Sequence, residues 1–382
     1  MILKQQDIRF DILKSIGIVC IILAHTMPRN ILLFQLRTFD VPLMVLVSGS
    51  LFYLSSKNAN ISYIKYLKKR IFRLLAPVWI FLTVFFVLTS LTSNLMGIEY
   101  QYSLKKIVSA YLCDGGWYTW IIRVFILISV IAPLMLELWR RLTNKMVFVL
   151  IITGIYSGYE LLYKALDYIN LFNALQNLNI TPFIQKLIIF IYNISVNKIL
   201  FYVLPYGCLF GLGILAVNLN RKDFLKMLLF LLGTFLTLFV SNYFASGNVL
   251  VFKFQIYKFP PRIYYLAYSL VIWSCLYFCL TEVLKLDKID SSKLLKSGIA
   301  RLFIFISSSS MWIYLWHIFV LHYLLIVLDI FQIPNSAILS FSTVLSLSVI
   351  ITALQKFWIS SLIKRTSFGS KYSSLLTTFF LK

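Results

Sequence analysis

The three histidines of the chain, His25, His317 and His322, all lie within or beside strongly apolar segments. Ionisable side chains are costly inside a membrane and usually face an interior cavity there, so each of them is a candidate for function. His25 is the most informative, because Asp11 and Lys14 precede it on one face of the same predicted helix. Lys14 and His25 are separated by three helical turns, or about 16 Å along the helix axis.

That separation suits an acyl donor bound through its phosphates. The pantetheine arm of coenzyme A is about as long as three helical turns, so cations at the membrane surface could hold the nucleotide while the thioester reaches a buried imidazole. A neutral His25 could then take the proton of an acceptor hydroxyl as a general base. A hydrogen-bonded core histidine above a lysine that snorkels to the surface has the same spacing, so spacing alone does not decide.

A second group of cations lies in the segment YIKYLKKRIFRLLAPVW, which contains Arg70 and Arg73. These two arginines are three residues apart, so on a helix they form a fork suited to a phosphate or pyrophosphate. An ordinary membrane anchor on the positively charged side, or a contact with anionic lipid, also explains the cluster.

Further candidates lie in two other apolar segments. Trp117 and Tyr118 open the fourth predicted span, where aromatic rings either stack on a sugar or anchor the helix at the interface. Arg123 lies about one turn further in, and an intramembrane arginine suits an anionic acceptor or a partner carboxylate such as that of Glu99. His317 is expected either to line the same cavity or to serve in packing.

Membrane helices must position these side chains. Of the 382 residues, 60% are hydrophobic and 13% are charged, and the mean hydropathy is +0.87. Soluble domains carry roughly 25% charged residues, so the composition excludes a soluble, secreted or nucleic-acid-binding protein despite the net charge of +23. The five cysteines show no CxxC or Cys/His spacing, and we expect no metal site.

We predict an all-α polytopic membrane protein with about ten transmembrane helices in a single domain, 1–382. The predicted spans are 12–29, 33–55, 74–96, 117–138, 145–163, 199–218, 226–246, 263–284, 302–329 and 335–360. The shorter apolar stretch 183–196 is predicted to be re-entrant or interfacial. Lysine and arginine are concentrated in the loops on the side of the N-terminus, which predicts that both termini are cytoplasmic.

Five segments occur in an order and spacing that resemble the membrane-bound acyltransferase-3 family. They are the N-terminal segment with His25, FDVPLMVLVSGSLF, KKRIFRLLAP, GGWYTWIIRVFILISVIAPLM and SSSSMWIYLWHIFVLHYLL. By this resemblance His25 corresponds to the essential histidine of the family, and Arg70 with Arg73 to its Arg-x-x-Arg motif near the acyl-CoA site. The family has an arginine where this chain has Lys14, and lysine keeps the charge but loses the planar fork. His317 falls in a pattern that resembles a late Tyr-x-x-His of the family.

The resemblance implies a multi-pass O-acyltransferase of the cell membrane, such as a bacterial inner or plasma membrane. We expect it to move an acyl group, most simply acetyl, from cytoplasmic acetyl-CoA or another acyl-CoA to a hydroxyl group. The acceptor is expected to be a cell-envelope carbohydrate or a lipid-linked oligosaccharide. Membrane lipids are further partners, nucleic acid is not, and a homo-oligomer is compatible with the sequence.

The same resemblance, together with the spacing above, assigns the expected roles of the candidate residues. Catalysis is assigned to His25, Lys14 and Asp11. Binding of the donor phosphates is assigned to Arg70, Arg73 and Lys14. Binding of the acceptor is assigned to Arg123, Trp117, Tyr118 and His317.

Two other interpretations stay open. A transporter or flippase of an anionic lipid-linked sugar could use His25 in a proton relay, but the inverted repeats or paired broken helices of such proteins are not visible in the sequence. The other is a scaffold of an envelope assembly complex with a decayed catalytic site, and Lys14 in place of arginine is its best support.

Overall fold

All secondary structure in the described part of the chain is helical. The structure is a computed structural model that describes residues 7–26, 31–115, 117–169, 171–177, 181–246, 252–286 and 296–381. Within these residues every element is an α-helix, a 3-10 helix or a π-helix. The all-α prediction is therefore confirmed.

The α-helices follow one another along the described chain. They are α1 (Ile8–Thr26), α2 (Ile31–Leu36), α3 (Asp40–Ser56), α4 (Tyr63–Met96), α5 (Leu104–Tyr111), α6 (Trp120–Arg141), α7 (Lys145–Tyr168), α8 (Leu171–Gln176), α9 (Pro182–Tyr192), α10 (Phe201–Ala216), α11 (Arg221–Ser246), α12 (Ile263–Phe278), α13 (Gly298–Ser308), α14 (Ser310–Ile330), α15 (Ala337–Arg365), α16 (Ser367–Lys371) and α17 (Ser373–Leu376). Short 3-10 or π segments lie at Arg37–Phe39, Asn193–Leu200, Phe254–Tyr257, Cys279–Val283 and Thr377–Leu381.

Nine helical runs in the described residues are long and apolar enough to cross a membrane, which confirms a polytopic membrane protein. They are Leu32–Ser56, Tyr63–Met96, Trp120–Arg141, Lys145–Tyr168, Pro182–Ala216, Arg221–Ala245, Ile263–Val283, Ser310–Ile330 and Ala337–Arg365. Each overlaps one of the predicted spans after the first. Helix α1 corresponds to the first predicted span, and the predicted end of that span, 27–29, lies outside the described residues.

The apolar stretch 183–196 belongs to the same helical run as the sixth predicted span. This run, Pro182–Ala216, continues from α9 through the π segment Asn193–Leu200 into α10. Pro182 stands in the first turn, where its missing N–H breaks no helical hydrogen bond. With 35 residues the run is about 52 Å long, more than the roughly 30 Å of a hydrocarbon layer. The stretch is therefore an extension of a helix and not a separate element.

The ninth predicted span, 302–329, is divided into α13 and α14 at Ser309. The backbone of Ser309 has φ −109° and ψ 5°, outside the helical range. Serine side chains compete with the backbone for hydrogen bonds, so the four serines of 307–310 favour such a break. Ser307 and Ser309 are buried, so carbonyl groups at the end of α13 need partners inside the protein.

By its contacts the chain forms two compact units whose segments alternate along the sequence. The first unit comprises Met1–Met44, Lys68–Arg123 and Ile272–Lys382, and the second comprises Val45–Leu67 and Val124–Val271. Every candidate catalytic, donor-binding or acceptor-binding residue lies in the first unit. In that unit α1 packs against α13, α14 and α15, which makes it the natural support for a site. The assignment of the whole chain to a single domain stays a prediction.

In the second unit, α3 and α10 cross at two glycines. A Cβ atom at Gly213 would lie 2.1 Å from the carbonyl oxygen of Leu46, and one at Gly49 would lie 2.1 Å from that of Phe210. The hydroxyl of Ser50 donates a hydrogen bond of 2.8 Å to the carbonyl of Gly213. Small residues that let two backbones approach are typical of helix packing in membranes.

We expect Gly213→Ala to destabilise the protein by about 1–3 kcal/mol, because the added methyl group collides with backbone atoms that cannot move independently. The measurement is the temperature of thermal unfolding of the purified protein in detergent. Gly154→Ala is the matched control, since a Cβ atom at Gly154 has open space around it. An equal unfolding temperature for the two variants would contradict the close crossing.

Candidate active site

The imidazole of His25 lies against a second imidazole. Near the C-terminal end of α1, its ring is stacked on the ring of His317 from α14, with 5.3 Å between centroids and 30° between planes. The ring of Tyr118 meets His25 edge-on at 4.9 Å. His25 is half-buried and His317 is fully buried. The structure thus brings together three residues that lie far apart in the sequence.

The hydrogen bonding of His317 defines its tautomer. Its Nδ1 bonds to the main-chain carbonyl of Tyr314, one turn earlier on α14. A carbonyl oxygen can only accept, so Nδ1 carries the hydrogen and the Nε2 of a neutral ring keeps a free lone pair. This Nε2 is buried and has no hydrogen-bond partner among the described residues. His317 therefore presents an acceptor beside His25, suited to receive a hydroxyl hydrogen of a bound molecule.

Tyr118 is held in place by its main chain. The hydroxyl of Tyr314 donates a hydrogen bond to the Tyr118 carbonyl, so α14 fixes both His317 and the residue that contacts His25. Burial raises the pKa of the Tyr118 phenol, which therefore stays protonated at neutral pH and can donate a hydrogen bond.

Trp117 is buried in a cluster of aromatic side chains. It is 8% exposed, and its ring lies 5.4 Å from that of Phe85, 5.6 Å from that of Phe86 and 5.2 Å from that of Tyr118. Such rings contribute packing energy and fix one another's orientation. The cluster therefore forms a rigid wall next to Tyr118 and the histidine pair.

Arg123 contacts the loop that precedes α6. Its Nη1 donates a hydrogen bond to the main-chain carbonyl of Asp114. The next residue, Gly115, has φ +105°, and a Cβ atom there would lie 3.2 Å from the Arg123 guanidinium. The Asp114 carboxylate in turn accepts a hydrogen bond from the Ser109 hydroxyl. Arg123 thus ties the loop that leads into Trp117 and Tyr118 to the start of α6.

Lys14 binds the end of the helix that breaks at Ser309. Its Nζ donates a hydrogen bond of 2.7 Å to the carbonyl of Ser307, in the last turn of α13. The next residue, Ser15, donates a hydrogen bond of 3.0 Å to the carbonyl of Phe303. A cation is favourable at this position, because unsatisfied carbonyls give a helix C-terminus partial negative charge. Two adjacent residues therefore fix the register of α1 against α13.

Other charged groups surround Lys14. It lies within Coulombic range of one acid, Asp11, and of three cations, Arg70, Arg73 and Lys356. Asp11 is buried, Arg70 is partly buried and Arg73 is exposed. The Nε of Arg70 is buried and has no hydrogen-bond partner among the described residues. Asp11, Arg70 and Arg73 therefore all lie near Lys14, and their roles in catalysis and donor binding stay predictions.

Helix α1 carries one member of the cation group, Lys14, and one member of the histidine pair, His25. Lys14 and His25 are about 16 Å apart along α1, and their partners, Ser307 and His317, are separated by the break between α13 and α14. The two groups are therefore held about three helical turns apart by two packed helical segments. This is the geometry that a donor with an anionic head and a long reactive arm requires.

Sequence reasoning missed two charged features of this unit. Arg37 and Asp40 form an ion pair of 2.7 Å, with side chains that are 4% and 2% exposed. Their spacing of three residues in an apolar segment was the signal that could have found them. Lys356 lies within the last predicted span, 335–360, and only the structure places it near Lys14.

Comparison with known proteins identifies the family. A family model for an acyltransferase domain, that of the acyltransferase-3 family, matches residues 7–354. The chain belongs to the acyltransferase-3 family. No curated protein and no solved structure matches it in the same comparisons. The match covers every site residue predicted from the sequence, and it makes the protein a membrane acyltransferase.

We expect Arg123→Gln to loosen the loop between α5 and α6, because it removes the guanidinium that holds the Asp114 carbonyl. Amide hydrogen exchange of peptides from this loop should become about tenfold faster or more, since losing a charged hydrogen-bond donor costs about 1.5–3 kcal/mol. The control is Arg141→Gln at the other end of α6, where an exposed ion pair with Glu137 contributes little. Unchanged exchange in the Arg123 variant would show that the contact does not order the loop.

Proposed function

We propose that this acyltransferase moves an acyl group, most simply acetyl, from acyl-CoA to a hydroxyl of a carbohydrate of the cell envelope, free or lipid-linked. The observation that carries the proposal is the position of the His25–His317 pair, about three helical turns along α1 from the cations around Lys14. The arm of coenzyme A spans that distance, so the phosphates and the thioester can be bound at the two groups simultaneously.

The donor end of the site is suited to phosphates. Arg70 and Arg73 supply fork-shaped donors, and the buried Nε of Arg70 is available to a ligand. Lys14 adds a compact charge, but one of its N–H groups is used by the Ser307 carbonyl. Lys14, which replaces the arginine of the family, thus makes a structural hydrogen bond and also supplies positive charge. Because the charge is kept, this argues against a decayed site.

The chemical step places His25 as general base. Its imidazole takes the proton of the acceptor hydroxyl while the oxygen attacks the thioester carbonyl carbon. The tetrahedral intermediate then collapses, the C–S bond breaks, and the coenzyme A thiolate takes the proton from the imidazolium. An ester and free coenzyme A result, and His25 returns to its neutral form.

The neighbours of His25 provide orientation for the acceptor. The lone pair on Nε2 of His317 can accept the hydrogen of a second sugar hydroxyl, and the protonated phenol of Tyr118 can donate to a sugar or carbonyl oxygen. Trp117 offers an aromatic wall for the sugar ring. Arg123 acts on this region by holding the loop that carries these two aromatic residues.

The distribution of basic residues supports a donor that arrives from the cytoplasm. Loops on the side of the N-terminus, including the one with Arg70 and Arg73, are rich in lysine and arginine. We place both termini in the cytoplasm and the acceptor on the opposite side of the histidine pair, in a bacterial inner or plasma membrane.

We expect His25→Ala to lower the rate of acyl transfer by about 10²–10⁴-fold, because the variant lacks the general base that takes the proton of the acceptor hydroxyl. The protein, in nanodiscs, is given radiolabelled acetyl-CoA and isolated envelope glycan, and coenzyme A release and label incorporation are followed. His322→Gln is the control, since His322 lies apart from the pair and bonds to the Tyr102 hydroxyl.

Two results would overturn this assignment. Equal turnover by the wild type and the His25 variant would remove the histidine from the chemistry. Movement of a lipid-linked sugar across the membrane without label incorporation would favour a flippase instead.

We also expect the effects of His25→Ala and His317→Ala to be non-additive. If both imidazoles hold the same acceptor, the double variant should be little slower than His25→Ala alone, whereas independent residues would multiply their losses. The measurement is kcat/KM for the glycan acceptor in all four proteins. If the fold-loss of kcat/KM in the double variant equals the product of the two single fold-losses, a shared role is contradicted.

A further inference from the structure

Lys356 is a cation within a spanning helix. It lies on α15, which is apolar over most of its length, and its side chain is half-buried. Charged residues in such helices are rare and usually face the protein interior, where they bind a partner or a ligand. Lys356 lies beyond residue 354, the end of the family match, so the match assigns it no role.

Geometry places Lys356 beside the end of α13 that receives Lys14. Its Nζ lies 5.7 Å from the centroid of the Phe305 ring. On α13, Phe305 stands between Phe303 and Ser307, whose carbonyls accept hydrogen bonds from Ser15 and Lys14. Helix α1 packs against both α13 and α15, so the two lysines approach this helix end from two different elements.

The position of Lys356 is fixed by its neighbours. Gln355 accepts a hydrogen bond of 2.7 Å from the indole N–H of Trp316 and donates one of 3.4 Å to the carbonyl of Phe380. The indole N–H of Trp312 donates a hydrogen bond of 2.8 Å to the carbonyl of Phe379. These contacts fix the register of α15 against α14, which keeps Lys356 near the site.

The same C-terminal segment also reaches α4. The ring of Phe379 lies 5.2 Å from that of Phe72, which stands between Arg70 and Arg73 on that helix. Thr377–Leu381 therefore contacts both α4 and α15, the two helices that carry the arginines and Lys356.

Among the described residues, positive charges outnumber negative ones around Lys14. Among the described residues in Coulombic range of Lys14, three are cations and only Asp11 is an acid. Like charges held together in a partly dehydrated region repel one another unless an anion neutralises them. The excess is three positive charges, more than one phosphate group neutralises, and it suits a ligand with several phosphates.

We infer that Lys356 is a donor-binding residue and that it contacts the phosphates of the acyl-CoA. This inference rests on the proposed function and adds a fourth cation to the donor site. One N–H group of Lys14 is used by the Ser307 carbonyl, and Lys356 supplies further positive charge for the phosphates. The two lysines together replace the single forked arginine. Because it recognises phosphate, Lys356 favours phosphorylated donors and has no effect on a donor without them.

The test compares two donors in nanodiscs, acetyl-CoA and S-acetyl-pantetheine, which lacks every phosphate. In Lys356→Met we expect KM for acetyl-CoA to rise about tenfold with kcat within about twofold of the wild type. The kcat/KM for S-acetyl-pantetheine should not change. Lys356→Arg should restore most of the affinity for acetyl-CoA, because it keeps the charge. Lys364→Met, an exposed lysine two turns further along α15, is the matched control.

Several outcomes would overturn the inference. An unchanged KM for acetyl-CoA would do so, as would equal losses with both donors, which would indicate a structural role. If Lys356→Met does not fold, Lys356→Gln in a His25→Ala background is measured instead, by the stabilisation that coenzyme A gives against thermal unfolding. A stabilisation equal to that of His25→Ala alone would again reject the role. A wild-type protein that never uses acetyl-CoA would reject the proposed function itself.

Discussion

An ammonium group bound to a main-chain carbonyl connects the parts of this site. The Nζ of Lys14 donates a hydrogen bond to the carbonyl of Ser307 in the last turn of α13. This helix end is buried, just before the break that precedes α14. A buried helix end needs a partner for its last carbonyls, and a partly buried lysine needs an acceptor for its N–H groups. Each satisfies the other, and the register that results between α1 and α13 determines what lies opposite His25, three turns away.

The consequence at the far end of α1 is a pair of imidazoles with different roles. His317 is held by the Tyr314 carbonyl in the tautomer that leaves Nε2 as an acceptor. The rings of Tyr118 and His317 contact the half-buried ring of His25. Tyr314 holds both neighbours of His25: its main-chain carbonyl binds His317, and its hydroxyl donates to the Tyr118 carbonyl. A rigid aromatic wall and a tethered loop then limit how an acceptor can approach.

Charge is distributed along the same axis. The cations around Lys14 gather at one end of α1, and the histidine pair with Tyr118 lies at the other end. Such a division suits a donor whose head is strongly anionic and whose reactive end is neutral, since each end meets the environment it needs.

The sequence by itself determined the class of the molecule, its spanning segments and the identity of the main candidates. Hydropathy is a local property, so nine apolar helices could be located without knowledge of their neighbours. The spacing of Lys14 and His25, and of Arg70 and Arg73, depends only on helix geometry. The break at Ser309, the continuous run Pro182–Ala216 and the interleaving of two units were not predicted, because they depend on hydrogen bonds and packing between segments.

Only the tertiary structure decided which of these side chains meet. The sequence left open whether His317 lines the cavity or serves in packing, and the structure shows its ring stacked on that of His25. Arg123 was expected at an acceptor or a carboxylate, and its guanidinium was found on the carbonyl of Asp114, which no side-chain pattern signals. The packing of α15 against α1 places Lys356 near Lys14, which no pattern along α15 signals. Contacts between distant segments arise from the packing of whole helices, and a pattern read along one helix carries no information about its partner.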